Sequence, residues 1–126
     1  MSVVMDASAL LAFLHGEPGD AAVMPRLEGA LVSAVNWSEV LQKSLGLGVD
    51  VEGMEEEFQE MGVTFEAFTP AQAQIAARLW EAAPKTGLSL ADRACLALAM
   101  ESGLPVMTAD RAWRRLSVDL DIQLIR

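Results

Sequence analysis

Four acidic side chains stand where a parallel sheet would bring them to one edge: Asp6, Glu39, Asp92 and Asp110. Asp6 directly follows a short apolar run, and Asp110 follows another such run after one alanine. Glu39 and Asp92 fall in the first turns of expected helices. Because ligands bind outside the carboxyl ends of the strands in an open parallel α/β sheet, we expect all four carboxylates to converge on one crevice.

Each of these acids also has a simpler explanation as a helix cap. Asp6 and Asp110 can accept backbone N–H bonds from the helix that follows. Residues 36–39 and 89–92 both have the spacing of a capping box. Four caps at one sheet edge would crowd negative charge and raise pKa values unless a cation intervenes. Mg²⁺ or Mn²⁺ prefers oxygen ligands and would supply that cation, so we interpret the cluster as a metal site.

Short apolar runs alternate with helix signals along the chain. The expected strands cover residues 2–5, 30–33, 63–68, 106–108 and 122–125. The expected helices cover residues 7–15, 19–27, 36–46, 51–61 with Asp50 as cap, 70–83 and 88–100, with a short helix after Asp110. This alternation predicts α/β architecture, in which a mainly parallel sheet of four to five strands has helices on both faces.

Composition is consistent with one compact domain over residues 1–126. Apolar residues make up 52% of the chain and charged residues 21%, which argues against disorder. No apolar run approaches the roughly 18 residues that a membrane span needs. The N-terminus carries no basic leader, so we expect a cytoplasmic protein without a membrane partner.

The net charge of −9 is unusual for a nucleic-acid-binding protein. The acidic excess is concentrated between residues 52 and 66, whereas Arg93, Arg111 and Arg114 lie close to two of the four acids. These arginines are candidates for holding RNA phosphates. Pairing with neighbouring acids, or lying along a solvated face, is an equally good explanation of them.

Four segments of the chain resemble those of the PIN-domain nucleases, and their residues are similar to those of the VapC-type toxins of toxin–antitoxin pairs. They are residues 3–10 (VVMDASAL), 33–40 (SAVNWSEV), 87–97 (GLSLADRACLA) and 108–113 (TADRAW). The resemblance implies that Asp6, Glu39 and Asp92 match the family's acidic triad and that Asp110 matches its more variable fourth acid. Ser8 and Thr108 match hydroxyl positions that line the family's site. Ala91 stands where the family usually carries Gly.

The resemblance and the residue types together predict a metal-dependent endoribonuclease. In this hypothesis Asp6, Asp92 and Asp110 hold Mg²⁺ or Mn²⁺, and Glu39 positions a water coordinated to the ion. As the family implies, cleavage would leave a 5′-phosphate and a 3′-hydroxyl. Acid–base catalysis by two histidines is nearly excluded, because the chain has one His and no Tyr.

Other classes of protein place acids at the same sheet edge. A phosphorelay receiver would carry an acid beside Asp6 and a late lysine, but no lysine follows Lys85. A phosphatase of the haloacid-dehalogenase type would carry Asp at position 8, which is Ser8. A catalytically silent PIN-like module that binds RNA or protein remains the main alternative. Retention of all four acids argues against that module.

The resemblance also implies two protein partners. A small VapB-like antitoxin would bind and silence the nuclease, with a basic side chain placed among the acids. The apolar helices over residues 38–47 and 50–61 are the expected groove for it. The resemblance further implies a homodimer.

Overall fold

The computed structural model describes residues 2–82 and 87–126, and strands alternate with helices throughout. The strands are β1 (Val4–Met5), β2 (Leu31–Ser33), β3 (Thr64–Glu66), β4 (Val106–Thr108) and β5 (Ile122–Leu124). The helices are α1 (Ala7–His15), α2 (Asp20–Val23), α3 (Ala34–Gly46), α4 (Met54–Glu60), α5 (Pro70–Ala82) and α6 (Leu90–Ser102), with 3₁₀ helices at Met24–Arg26 and Arg111–Arg115. The expected end of α5 at Ala83 and the side chain of Lys85 lie outside the described residues.

In the described chain the strands form one sheet in the order β3-β2-β1-β4-β5, and every pairing is parallel. This confirms the predicted α/β architecture. The chain builds outward from β1 through β2 to β3, and then returns to place β4 on the other side of β1. The strand order therefore reverses between β1 and β4, and a crevice at such a point is the usual ligand site.

Alternate residues of the central strands enter two apolar clusters, one on each face of the sheet. Met5 and Met107 belong to the cluster that holds α1, α3 and α4. Val4 and Val106 belong to the cluster that holds α5, α6 and the buried Trp113. Because side chains of a strand alternate between faces, both faces of the sheet are covered, as the apolar strands predict.

The start of α3 differs from the sequence-based prediction. Ser33, the last residue of β2, is the N-cap and accepts a hydrogen bond from the backbone N–H of Val35 at 3.2 Å. The helix therefore begins at Ala34, and Asn36 lies inside its first turn. The capping box expected over residues 36–39 was wrong, because one serine both ends the strand and caps the helix.

Two other helices are shorter than expected. α4 begins at Met54 after Gly53, whereas the carboxylate of Asp50 accepts the N–H of Glu52 within the preceding turn. The stretch over residues 19–27 divides into α2 and a 3₁₀ helix that contains Pro25, whose missing N–H cannot continue an α-helix. Among the described residues, no helix has the length and apolar character that a bilayer span requires.

Candidate active site

The carboxylate of Asp6 joins β1 to β4 at the reversal point of the sheet. Its Oδ1 accepts hydrogen bonds from the backbone N–H of Ala9 at 3.0 Å and from the Ser8 hydroxyl at 2.6 Å. Its Oδ2 accepts a hydrogen bond from the Thr108 hydroxyl at 2.6 Å. The backbone N–H of Asp6 also donates to the carbonyl of Met107 at 3.3 Å. Asp6 is thus both the N-cap of α1 and the contact between two strand ends.

The two hydroxyl groups continue this network into the segment after β4. Ser8 Oγ accepts the backbone N–H of Ala109 at 2.8 Å, and Thr108 Oγ1 accepts that of Asp110 at 3.0 Å. Each hydroxyl therefore donates to Asp6 and accepts from the backbone beside Asp110. The arrangement holds the backbone of Asp110 at a set position relative to the Asp6 carboxylate.

Burial makes the charge on Asp6 costly. The residue is 6% exposed, and burial raises the pKa of its carboxyl to about 6. The bonds from Ser8, Thr108 and the Ala9 N–H lower this pKa, whereas the negative charge of Asp92 raises it further. Asp92 is therefore close enough to Asp6 for the two charges to repel.

The buried thiol of Cys95 is also affected by the negative charges of Asp6 and Asp92. Burial raises the pKa of Cys95 well above its usual value, and the charges of Asp6 and Asp92 raise it further. The neutral thiol is thus favoured, which argues against a nucleophilic role.

Three of the four acids cap helices, as the simpler explanation predicted. Besides Asp6, Asp92 forms a reciprocal capping box with Ser89, in which Asp92 Oδ2 accepts the Ser89 N–H at 3.0 Å. Asp110 Oδ1 accepts the N–H of Ala112 at 3.0 Å. Each of these caps uses one carboxylate oxygen. Within the described chain, Asp92 Oδ1 and Asp110 Oδ2 accept no hydrogen bond, so capping leaves a ligand oxygen free on both.

Glu39 has no capping role in the structure. It lies in the second turn of α3 and is half-buried. One turn before Glu39 on α3, Asn36 Nδ2 donates a hydrogen bond to the carbonyl of Ala91 at 3.0 Å. Ala91 directly precedes Asp92. The sequence assigns Asn36 to a cap, although Ser33 at a strand end was the better candidate.

The acids line one edge of the sheet without closing around one point. Across residues 2–82 and 87–126, no three acidic, histidine or cysteine side chains are grouped tightly enough to hold a metal ion. The structure links Asp6 to Ser8, to Thr108 and to the backbone of Asp110, and places the charge of Asp92 nearby. It does not bring Glu39 into direct contact with them. The four-acid metal centre remains a prediction.

The donor atoms nevertheless fit a hard divalent cation. Asp6 is a buried carboxylate, and no cationic side chain among the described residues forms an ion pair with it. The ion pairs in that part of the chain join Arg78 to Glu81 and Arg126 to Glu17. A second carboxylate, Asp92, adds to the negative charge. Mg²⁺ and Mn²⁺ prefer carboxylate oxygens and water over nitrogen or sulfur ligands.

The arginines near the site differ in their surroundings. Arg93 is half-buried, and its Nη1 donates to the carbonyl of Ala76 in α5 at 3.1 Å. This contact favours a structural role for Arg93. Arg111 and Arg114 are exposed in the 3₁₀ helix that follows Asp110, so their side chains are accessible to a phosphate.

Comparison with known proteins assigns the family. A family model described as PIN domain matches residues 3–119. The chain belongs to the PIN-domain family.

The fold is also similar to solved structures. A toxin–antitoxin complex from Klebsiella pneumoniae gives a TM-score of 0.77 at 15% identity, with 98% of each chain covered. The DNA-bound VapBC from Salmonella typhimurium gives 0.72 at 14% identity, covering 100% of this chain and 99% of that one. FitAcB from Neisseria gonorrhoeae gives 0.70 at 21% identity, covering 97% and 96%. No curated protein sequence matches the chain.

The raised pKa of Asp6 predicts how stability of the metal-free protein changes with pH. Because the folded pKa of about 6 exceeds the unfolded value of 3.8, the folded state binds this proton more tightly. The resulting cost, about 3 kcal/mol, is fully present above the folded pKa and disappears as pH falls below the unfolded value. Asp6→Asn keeps an oxygen that can cap α1 and removes the charge. We expect it to exceed wild type in free energy of unfolding at pH 7.5, and to lose this advantage near pH 4.

Urea unfolding in EDTA across this pH range measures the difference. Asp50→Asn is the matched control, since it removes an exposed carboxylate and keeps an acceptor for the Glu52 N–H. A difference between Asp6→Asn and wild type that does not change with pH would contradict the assignment of the buried charge.

Proposed function

We propose that this protein is a metal-dependent endoribonuclease and the VapC-type toxin of a toxin–antitoxin pair. The observation that carries the proposal is the carboxylate of Asp6, which is buried at the reversal point of the sheet, has no ion-pair partner among the described residues, and has its pKa raised by burial and by the charge of Asp92. Membership of the PIN-domain family supports it. The similar folds solved as a toxin–antitoxin complex and as VapBC support the toxin assignment.

In this proposal Asp6, Asp92 and Asp110 would hold Mg²⁺ or Mn²⁺, and Asp92 and Asp110 would do so through the oxygens that capping leaves free. An ion held there would supply a lower pKa for a coordinated water and charge stabilisation for the phosphate. Ser8 and Thr108 hold the Asp6 carboxylate in one orientation through short hydrogen bonds. Such bonds to a ligand carboxylate restrict its rotation and favour one binding geometry.

The remaining residues act on the water and the RNA. Glu39 is half-buried and free of a capping bond, so it is available to orient the attacking water. The water oxygen would form a bond to phosphorus as the bond to the 3′ oxygen breaks. The water would lose a proton and the departing 3′ oxygen would gain one, so the products would carry a 5′-phosphate and a 3′-hydroxyl. Arg111 and Arg114 contact neighbouring phosphates, which offsets part of the net charge of −9.

Cleavage of total RNA tests the nuclease. We expect wild type to cut RNA in Mg²⁺ or Mn²⁺, to stop in EDTA, and to leave ends that a 5′-phosphate-dependent exonuclease degrades. Asp92→Asn removes one charge from the ion's ligands while the amide oxygen can still cap α6. We expect this variant to lose about 100-fold in rate, the upper end of the range for changed contacts at metal sites.

Asp50→Asn again serves as the control and should cut at the wild-type rate. Full activity in EDTA, 2′,3′-cyclic phosphate ends or equal cutting by Asp92→Asn would each refute the mechanism. Binding of RNA by wild type without any cleavage would instead identify a silent PIN-like module.

The surface beside α3 and α4 is our candidate site for the antitoxin. Leu45 at the end of α3 and Leu47 directly after it are 60% and 69% exposed. Met24 and Met61, 63% and 36% exposed, line a cleft with Phe13 beyond the end of α4. Exposed apolar side chains of this kind are typical of surfaces that receive an amphipathic helix. The partner's basic residues would match the acidic side chains of α4, Glu55, Glu56 and Glu57.

Co-expression with the small protein encoded beside this one tests the pairing. We expect a stable complex in which RNA cleavage is suppressed, and we expect Leu47→Glu to weaken it by placing a charge in the apolar contact. Met100→Glu, at an exposed position on α6 that is given no role in the site or the dimer, is the control. Suppression that is unchanged by Leu47→Glu would move the antitoxin site to another surface.

We also propose a homodimer. Trp80 and Leu90 are 57% and 52% exposed at the facing ends of α5 and α6, and a large exposed tryptophan is typical of an interface. Light scattering of the purified protein should give about twice the 13.5 kDa of one chain. A monomer mass at micromolar concentration would contradict the dimer.

A further inference from the structure

Asn36 is a buried amide that links two helices of the site. It is 1% exposed in the first turn of α3, and its Nδ2 donates to the carbonyl of Ala91 in the first turn of α6 at 3.0 Å. Because the acceptor is a carbonyl oxygen, the amide can make this contact only through its nitrogen. Among the described residues, this is the side-chain hydrogen bond that connects α3 to α6.

The hydrogen bond of the Asn36 amide stabilises the folded state little, for two reasons. The carbonyl of Ala91 lies inside α6, where the helical pattern already supplies the N–H four residues later. In the described chain Asn36 Oδ1 is buried and has no hydrogen-bond partner. An unsatisfied buried acceptor is unfavourable, so an apolar side chain of similar size would cost the fold little.

The position of the bond relative to the acids points to a different role. Asn36 is one helical turn before Glu39, and Ala91 directly precedes Asp92. Residues three apart on a helix share a face, so Glu39 and Asn36 are presented on the same side of α3. The hydrogen bond between Asn36 and Ala91 therefore constrains the spacing of α3 and α6 close to the Glu39 and Asp92 carboxylates.

We propose that Asn36 is a positioning residue, which holds the first turns of α3 and α6 together so that Asp92 is placed as a ligand of the divalent ion within reach of Glu39, which orients the water. This inference rests on the proposed metal-dependent function. Asn36 contacts neither the ion nor the RNA and acts through the placement of two acids. Its loss leaves all four carboxylates in the chain and changes only how well they are arranged around one ion.

Gln72 provides a matched control, because it is also a buried amide that links α6 to a neighbouring helix. Like Asn36 it is a buried amide, 3% exposed, with an unpartnered carbonyl oxygen. Its Nε2 donates to Glu101 at 3.0 Å, which links α5 to the far end of α6. Glu101 is roughly 14 Å from Asp92 along the helix axis, so this bond cannot set the spacing of the acids.

The experiment compares wild type, Asn36→Leu, Asn36→Ala and Gln72→Leu by two measurements. Binding of Mn²⁺ is measured by the electron paramagnetic resonance signal of the free ion, and stability is measured by urea unfolding in EDTA. We expect both Asn36 variants to bind Mn²⁺ about 10- to 100-fold more weakly, as is typical when an outer contact of a ligand is lost. We expect Gln72→Leu to bind like wild type, and the RNA cleavage lost in Asn36 variants to return at high Mn²⁺ concentration.

The outcomes separate this inference from the proposed function. Wild-type Mn²⁺ affinity in a folded Asn36→Leu or Asn36→Ala protein would overturn the positioning role and leave the nuclease intact. An equal loss of affinity in Gln72→Leu would also overturn it, because the effect would then come from general loosening of α6. Wild type that binds no Mn²⁺ would overturn the proposed function and this inference with it.

Discussion

The charge of one buried carboxylate constrains most of this structure. Asp6 is held at the end of β1 by its role as the cap of α1, and the reversal of strand order puts β4 beside it. Two hydroxyl groups and a backbone N–H stabilise the ionised form, yet burial still raises its pKa. Hydrogen bonds from neutral groups therefore offset only part of the desolvation, and the remaining cost favours a cation at this edge of the sheet.

Capping and metal binding are compatible at these residues because a carboxylate has two oxygens. Asp92 and Asp110 each use one oxygen to cap a helix and keep the other free of protein hydrogen bonds in the described chain. The cap fixes the direction of the side chain, so the free oxygen is already oriented. If the capping residues and the metal ligands were different residues, the ligand side chains would keep more rotamer freedom. Binding of the ion would then have to remove that freedom at an entropic cost.

Much of the fold could be predicted because local signals and burial patterns agree. The alternation of apolar runs with helix starts indicated α/β architecture, and Gly16 and Gly103, both at positive φ, end α1 and α6 as helix-terminating glycines should. The predicted start of α3 was wrong because both Ser33 and Asn36 have the local features of a helix cap. Only the end of β2 distinguishes them, and a strand end depends on pairing with β1 and β3.

The sequence by itself determined that Asp6, Asp92 and Asp110 stand at strand or helix ends, since capping spacing and apolar periodicity are local properties of the chain. It placed Glu39 one turn too early in α3, because the start of that helix depends on where β2 ends. It also determined the family, through four segments in order. Tertiary structure decided the relation between the acids: Thr108 reaches Asp6 across 102 positions, and Asn36 reaches Ala91 across 55. Such contacts depend on how strands pair and helices pack, which no local pattern specifies. That is why Asn36 resembles a cap in the sequence and is a link between two helices in the fold.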